Sequence, residues 1–274
     1  MDKATIDDIE IAYRVAGEAG GRPIVLIHGY TGNTRNWALT VKPLVQSGWR
    51  TLTADNPGHG YSAAPENADA YTMWAMADVH HALAKVTSFA PAVVVGHSMG
   101  GAIAEEYTIR HPESVAALVL VDSAGGGPRE DAMMNAMAGM MEKARTIARE
   151  EGMAALWDYQ VENGGRPLPE GTTQEMRDFL RNEFSLTSAT GYIHCGKGMR
   201  DRRNTLTELA ALAKPTLVIR GENENPGLVQ AADGLAGAIP GARYQVIPGA
   251  AHSPQIENAA RFNEVLGAFL GTLA

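Results

Sequence analysis

Gly96-His97-Ser98-Met99-Gly100 places a serine between two glycines, each two positions away. The apolar run Val93-Val94-Val95 precedes it and a helix-like stretch beginning near Gly101-Ala102-Ile103-Ala104 follows. A sharp strand-to-helix turn forces its central residue into a strained backbone conformation. Only small residues two positions before and after avoid a clash there, which accounts for Gly96 and Gly100. Such a turn lifts the Ser98 hydroxyl above a sheet at a helix N-terminus, where backbone N–H groups favour developing negative charge. The chemistry expected is nucleophilic attack on a carbonyl carbon. A serine hydroxyl attacks weakly until a neighbouring base takes its proton. That base must come from His28, His59, His80, His81, His97, His111, His194 or His252.

The elements that must position these groups are legible in the hydropathy pattern. Short apolar runs bounded by Gly, Pro or Asp read as strands buried on both faces: Ile24–Ile27, Thr51–Ala54, Ala92–Val95, Leu118–Val121 and Thr216–Ile219. Tyr244–Ile247 is a more amphipathic sixth. Helical periodicity runs over Trp37–Gln46, Met73–Thr87, Gly101–Arg110, Leu228–Ala238 and Ala259–Leu270. Strands alternating with helices predict βαβ units, hence an α/β fold with a mostly parallel, doubly wound sheet. Ile9–Val15 alternates and is expected to pair antiparallel with Lys3–Ile6 at an edge.

From about Gly125 to Ala213 the buried-strand pattern stops and only helix-like patterns remain. The segment opens with Gly125-Gly126-Gly127-Pro128, a flexible junction with a proline suited to a first helical turn. It closes before Lys214-Pro215. The reading is a helical cap (lid) inserted over the carboxyl edge of the sheet: residues 125–213 form the cap, and residues 1–124 and 214–274 form the core domain.

Several motifs resemble those of the α/β-hydrolase fold superfamily, over nearly the whole chain. Besides the serine turn, His28-Gly29-Tyr30 after a strand resembles its oxyanion-loop motif. Asp55-Asn56-Pro57-Gly58-His59-Gly60-Tyr61-Ser62 resembles its D-x-P-G-x-G-x-S turn. Pro215–Glu222 and Ile247-Pro248-Gly249-Ala250-Ala251-His252 resemble the segments that carry the acid and the histidine. The nearest branch is that of capped esterases and C–C-bond hydrolases.

The resemblance implies a chain order of serine, acid, histidine, which selects His252 as base and later acid. His28 then falls in the oxyanion loop, His59 in a tight turn and His97 inside the serine turn. His80, His81 and His111 are expected at the surface, with His194 in the cap. The acid position three residues after Gly221 holds Glu224 where relatives usually have Asp. Asp122, directly after Leu118–Val121, is the alternate acid. The oxyanion donors are expected to be the backbone N–H groups of Met99 and Tyr30, whose side chains are expected to line the pocket. Met133, Met134, Met137, Met140 and Met141 crowd the start of the cap. Positions 133, 137, 140 and 144 share one helical face, either as plain packing or as a soft apolar wall for substrate. Trp37, Trp157, Phe184 and Tyr192 are candidates for aromatic pocket surface.

Composition narrows the function. The chain has 274 residues, 45% hydrophobic and 20% charged, enough for a sizeable core and unlike a disordered segment. Its net charge of −8 with no Lys/Arg cluster argues against a nucleic-acid partner. The single cysteine, Cys195, cannot form an internal disulfide. No apolar stretch approaches a membrane span and the acidic start lacks a secretion signal, so a cytoplasmic protein without a membrane partner is expected. No metal-binding or dinucleotide motif appears, so the expectation is no cofactor. A homodimer is left open.

The leading function is a serine carboxylesterase acting on a small ester or related carbonyl compound through an acyl-enzyme. C–C-bond hydrolysis of dienoic or β-diketone compounds is an alternative. It is weakened because relatives that cleave ring-fission products carry a glycine-rich loop after His-Gly and a Trp after the histidine. Here Tyr30-Thr31-Gly32-Asn33 and Ser253 stand at those places. A lactonase and a non-catalytic ligand receptor on the same fold complete the alternatives.

Overall fold

The computed structural model describes residues 1–123, 125, 131–166, 168 and 171–273, with 131–138 as backbone only. Pro128, and the side chains of Met133, Met134 and Met137, lie outside the described residues.

Strands β1 (Asp2–Ile6) and β2 (Ile9–Ala16) form the expected antiparallel edge pair. Next come β3 (Arg22–Ile27), α1 (Ala38–Gln46), β4 (Trp49–Ala54), α2 (Met73–Val86), β5 (Ala92–His97), α3 (Met99–Arg110) and β6 (Val115–Val121). After β6 come α4 (Asp131–Glu150), α5 (Met153–Glu162), α6 (Gln174–Ser185), α7 (Ala189–Arg200) and α8 (Leu206–Leu212). The sheet resumes with β7 (Thr216–Gly221), α9 (Pro226–Ala238) and β8 (Arg243–Ile247), and the chain ends in α10 (Pro254–Glu257) and α11 (Ala259–Leu270). The strand order is β1-β2-β4-β3-β5-β6-β7-β8, with every pair from β4–β3 to β7–β8 parallel.

Alternation along the strands feeds two cores. Val94 points into one, with Met76, Leu83, Ile103 and Tyr107 from α2 and α3. Val93 and Val95 point into the other, with Leu44 of α1 and Phe262, Leu266 and Phe269 of α11. Helices thus cover both faces, which is why the central strands are apolar throughout. Among the described residues, no helix is long and apolar enough to cross a membrane.

The helices between β6 and β7 have a core of their own, built on Ile147, Leu156, Trp157, Phe184 and Tyr192. Helix α7 meets the Asp55–Ser62 turn without side chains between them. The Ser188 N–H and hydroxyl both donate to the Gly58 carbonyl, at 2.8 and 3.1 Å. A Cβ on Gly191 would lie 2.5 Å from that same oxygen, and one on Gly198 would lie 2.2 Å from the Tyr71 carbonyl oxygen.

Candidate active site

Ser98 sits between β5 and α3 with φ +53° and ψ −115°, a region that costs a non-glycine residue of order 1–3 kcal/mol. The surroundings fix it there. A Cβ on Gly96 would lie 2.1 Å from the Gly100 carbonyl oxygen, and one on Gly100 would lie 2.3 Å from that of Ile27. Both glycines are needed for close backbone approach. The Ser98 N–H donates to the Val121 carbonyl at 2.9 Å, lacing the turn to the end of β6.

His252 reaches the serine from the loop after β8. Its Nε2 lies 3.0 Å from Ser98 Oγ, and its Nδ1 lies 2.5 Å from Glu224 Oε2. With Nδ1–H donating to the carboxylate, Nε2 is left bare toward the hydroxyl. The two loops are held side by side by main-chain bonds. Glu222 N–H donates to Ile247 O at 3.0 Å, and Asn223 N–H to Ala250 O at 2.8 Å. The Glu224 side chain is only 3% exposed, and its Oε1 accepts from the N–H and side-chain amide of Asn225 at 2.6 and 2.7 Å. Burial alone raises Glu224, but the hydrogen bond and charge of His252 outweigh it and hold the carboxyl below its usual value. Burial alone lowers His252, but the Glu224 hydrogen bond and charge outweigh it and raise the imidazole above its ordinary value.

Asp122 does not take the place of Glu224 beside the imidazole. It is fully buried behind that residue, at φ +40°, and accepts from the Gly221 N–H at 3.2 and 3.3 Å. Its carboxyl hydrogen-bonds Glu224. Burial, then the Glu224 charge, raise its pKa well above the usual carboxylate range, which favours its neutral, proton-donating form beside Glu224.

Met99 opens α3, where N–H groups of the first turn lack an intrahelical partner. Tyr30 follows His28-Gly29 on a loop locked by a buried network. Asn56 N–H donates to His28 Nε2 at 2.9 Å, so His28 Nδ1–H donates to Gly29 O at 2.8 Å. A cavity of about 580 Å³ opens over Ser98 and His252, lined also by Tyr30, Tyr192, Met140 and Met141. The Tyr30 side chain thus lines it, stacked on Tyr192 with ring centroids 5.1 Å apart. The Met99 side chain does not, being buried in the sheet core. Trp37 is likewise in the core, against Phe262, because the turn before α1 aims it away from the carboxyl edge.

His97 matters more than its place in the turn implied. Its Nε2–H donates to the His252 carbonyl oxygen at 2.6 Å, tethering the loop that carries the base. The two residues are 155 positions apart in sequence, and nothing local signals the contact. His80 is not a surface residue. It is 2% exposed and donates from Nε2 to Asn56 Oδ1 at 2.7 Å, completing the network under His28. The amphipathic pattern of α2 implies a surface place, but the buried side of that helix extends to His80, whose ring meets Asn56. His194 contacts Tyr71 and is not among the residues lining the cavity.

Among the described residues, His81, His111 and Glu113 bring metal-ligating atoms within 4.8 Å of one another. They lie where α3 ends, at the edge of the sheet opposite Ser98. The two imidazoles are stacked with 2° between their planes. In-plane lone pairs of parallel rings do not converge on one ion, and His111 Nε2 is already 2.7 Å from Asp78.

Comparison with known proteins agrees with this architecture. The family described as alpha/beta hydrolase fold matches residues 22–259. The chain is similar to the dihydrolipoyllysine-residue acetyltransferase component of the acetoin cleaving system of Cupriavidus necator, at 29% identity over 98% of this chain and 68% of that one. Among solved structures it is similar to a thermophilic esterase from Thermogutta terrifontis, with TM-score 0.84 and 25% identity over 99% of this chain and 98% of that one. It is also similar to the enol-lactonase from Burkholderia xenovorans LB400, with TM-score 0.81 and 26% identity over 98% and 100%.

Proposed function

Since the chain belongs to the alpha/beta hydrolase fold family, we propose that it hydrolyses carboxylic esters through a covalent acyl-enzyme on Ser98. The observation that carries this reading is the continuous hydrogen-bond chain from Ser98 through His252 to Glu224, opening into a cavity. The esterase and enol-lactonase likenesses support it.

In this reading His252 Nε2 takes the hydroxyl proton as Oγ bonds to the ester carbonyl carbon. The negative charge that develops on the carbonyl oxygen is met by the N–H groups of Tyr30 and Met99. Glu224 stabilises the imidazolium and holds the ring in the tautomer that leaves Nε2 bare. The imidazolium then protonates the departing alkoxide as the C–O bond breaks, leaving the acyl group on Oγ. A water, deprotonated by the same nitrogen, attacks that acyl carbon. Collapse releases the acid and returns the proton to Oγ. Helices α4–α8 act as a cap in this scheme, since Tyr192, Met140 and Met141 line the cavity from above Ser98. A lactone is an internal ester and would be opened by the same steps. The enol-lactonase likeness makes lactones the second reading.

The test is a screen of p-nitrophenyl esters of increasing acyl length, with a serine-directed phosphonate to label the nucleophile. Ser98→Ala is expected to lower turnover by ~10⁴-fold or more and to abolish labelling while the protein stays folded. Retention of a tenth of wild-type turnover would remove Ser98 from the reaction.

A further inference from the structure

The cavity over Ser98 is lined by two guanidinium groups, Arg145 and Arg166, and by no carboxylate among its described residues. This is a local inversion of charge, since Asp and Glu outnumber Lys and Arg by 31 to 23 in the whole chain. Among the described residues, neither arginine is neutralised by a close acid. Arg145, on α4, has Glu142 as its ion-pair partner there, at 3.4 Å through Nη1, and the Glu142 side chain is 65% exposed. Its Nη2 is buried with no hydrogen-bond partner among the described residues. Arg166, just after α5, lies over the rings of Trp157 and Phe184, 4.9 and 4.6 Å from their centroids. Its Nε is 3.4 Å from the Gln160 side-chain oxygen.

Aromatic faces hold a guanidinium in place without using its N–H donors. A buried donor with no acceptor costs free energy that a bound anion would recover. Both arginines act electrostatically on the Tyr192 hydroxyl, so they serve the same region of the cavity. Met140, Met141, Met199 and Leu228 supply apolar wall elsewhere. The combination suits an aliphatic or aromatic ester with one planar anion, and a guanidinium fork matches a carboxylate in shape and charge.

We propose that the site selects esters or lactones carrying a carboxylate remote from the scissile carbonyl, and that Arg145 and Arg166 hold that carboxylate. The inference rests on the reading of Ser98 as the nucleophile of an ester hydrolase. It adds the class of substrate and the residues that choose it.

Two matched pairs test it. One pair is the p-nitrophenyl monoester of glutaric acid against p-nitrophenyl pentanoate, with the carboxylate on the acyl side. The other is 4-carboxyphenyl butanoate against phenyl butanoate, with the carboxylate on the alcohol side. In at least one pair the anionic member is expected to show kcat/KM about tenfold or more above its neutral partner, the scale of one charge-assisted hydrogen bond. That ratio is expected to fall toward one in Arg145→Ala and Arg166→Ala and to recover in part in the Lys variants. A second measurement needs no variant: free glutarate should slow phosphonate labelling of Ser98 in the wild-type protein, and glutaramide should not. Neutral esters hydrolysed as well as or better than the anionic ones in both pairs, with no protection by glutarate, would overturn this inference alone. Failure of the wild type to hydrolyse any ester or to take the label would overturn the ester-hydrolase reading and this inference with it.

Discussion

The carboxyl group of Asp122 hydrogen-bonds the carboxylate of Glu224, so the two acids stand in series behind His252 and not in competition for it. The two groups are pushed apart. His252 holds the Glu224 carboxyl below its usual value and favours its charged form, while burial and the neighbouring charge raise Asp122 and favour its neutral form.

This arrangement predicts unequal mutants. Glu224→Gln removes the charge that stabilises the imidazolium, and kcat is expected to fall by ~10³ to 10⁴ with little change in KM. Asp122→Asn exchanges one neutral donor for another and is expected to cost only a few-fold. Steady-state kinetics of both single variants and the double decide the matter. A larger loss in Asp122→Asn than in Glu224→Gln would move the acid to the end of β6.

A pH profile follows from His252. The imidazole must be neutral to accept the serine proton, and its pKa is raised above 6.5 because the Glu224 bond and charge outweigh desolvation. The acid limb of kcat/KM against pH is therefore expected to have its midpoint above pH 6.5. In Glu224→Gln the limb should move down, because desolvation remains and the compensating charge is gone. A wild-type midpoint below pH 6 would contradict the coupling.

His97 is a positioning residue. Its bond to the His252 carbonyl holds the loop and does not touch the reacting atoms. His97→Ala is expected to lower kcat by about ten- to a hundredfold, the scale of a catalytic group shifted by an ångström. His97→Gln, which keeps a donor, should recover part of that. The acid-limb midpoint should stay where it is, since Glu224 still faces His252. An unchanged kcat in His97→Ala would dismiss the tether.

Stability should fall steeply in acid. Burial lowers the pKa of His28, His59 and His97 to about 3 and that of His80 to about 4. Unfolded, each would take a proton near pH 6.5, so below that pH the unfolded state binds more protons than the folded one. Stability is full above pH 6.5 and is lost as pH falls toward these lowered values, by up to about 1.4 kcal/mol per pH unit for each histidine. Urea midpoints at pH 7, 6 and 5 measure it. His80→Gln, which keeps the donor to Asn56, should make the slope shallower by about one proton.

What could be read from sequence depended on how local the constraint is. The apolar runs of β3 to β7 were readable because both faces of each strand are buried. Ser98 was readable because steric demands two residues either side leave only glycine. Glu224 and His252 were reached through the family resemblance, by chain order and by the acid's place after Gly221, and main-chain bonds between their loops keep the two side by side. Asp122 could be nominated, but its place behind Glu224 depends on how β6 and β7 align, and that register is tertiary. The roles of His97 and His80 were invisible for the same reason, since their partners lie on other elements. The pairing of Arg166 with Trp157 and Phe184 depends on α5 meeting α6.

The contact of Gly58 with Gly191 admits no side chain on either residue, and a Cβ on one would run into the backbone of the other. Gly191→Ala is expected to destabilise the protein by about 1–3 kcal/mol, seen as a lowered Tm. The seam also sets what can vary over evolutionary time. Helix α7 is mounted on the turn that holds His28 at the start of the Tyr30 loop, so its placement cannot drift without moving that turn. Helix α6 is tied to the loop after Tyr30 as well, since Glu183 pairs with Arg35 and accepts from the Asn33 side-chain amide. Helix α5 shows no such tie among the described residues, and it is the part of this scaffold in which substitutions can accumulate and new preferences can be tried while the chemical step is left alone.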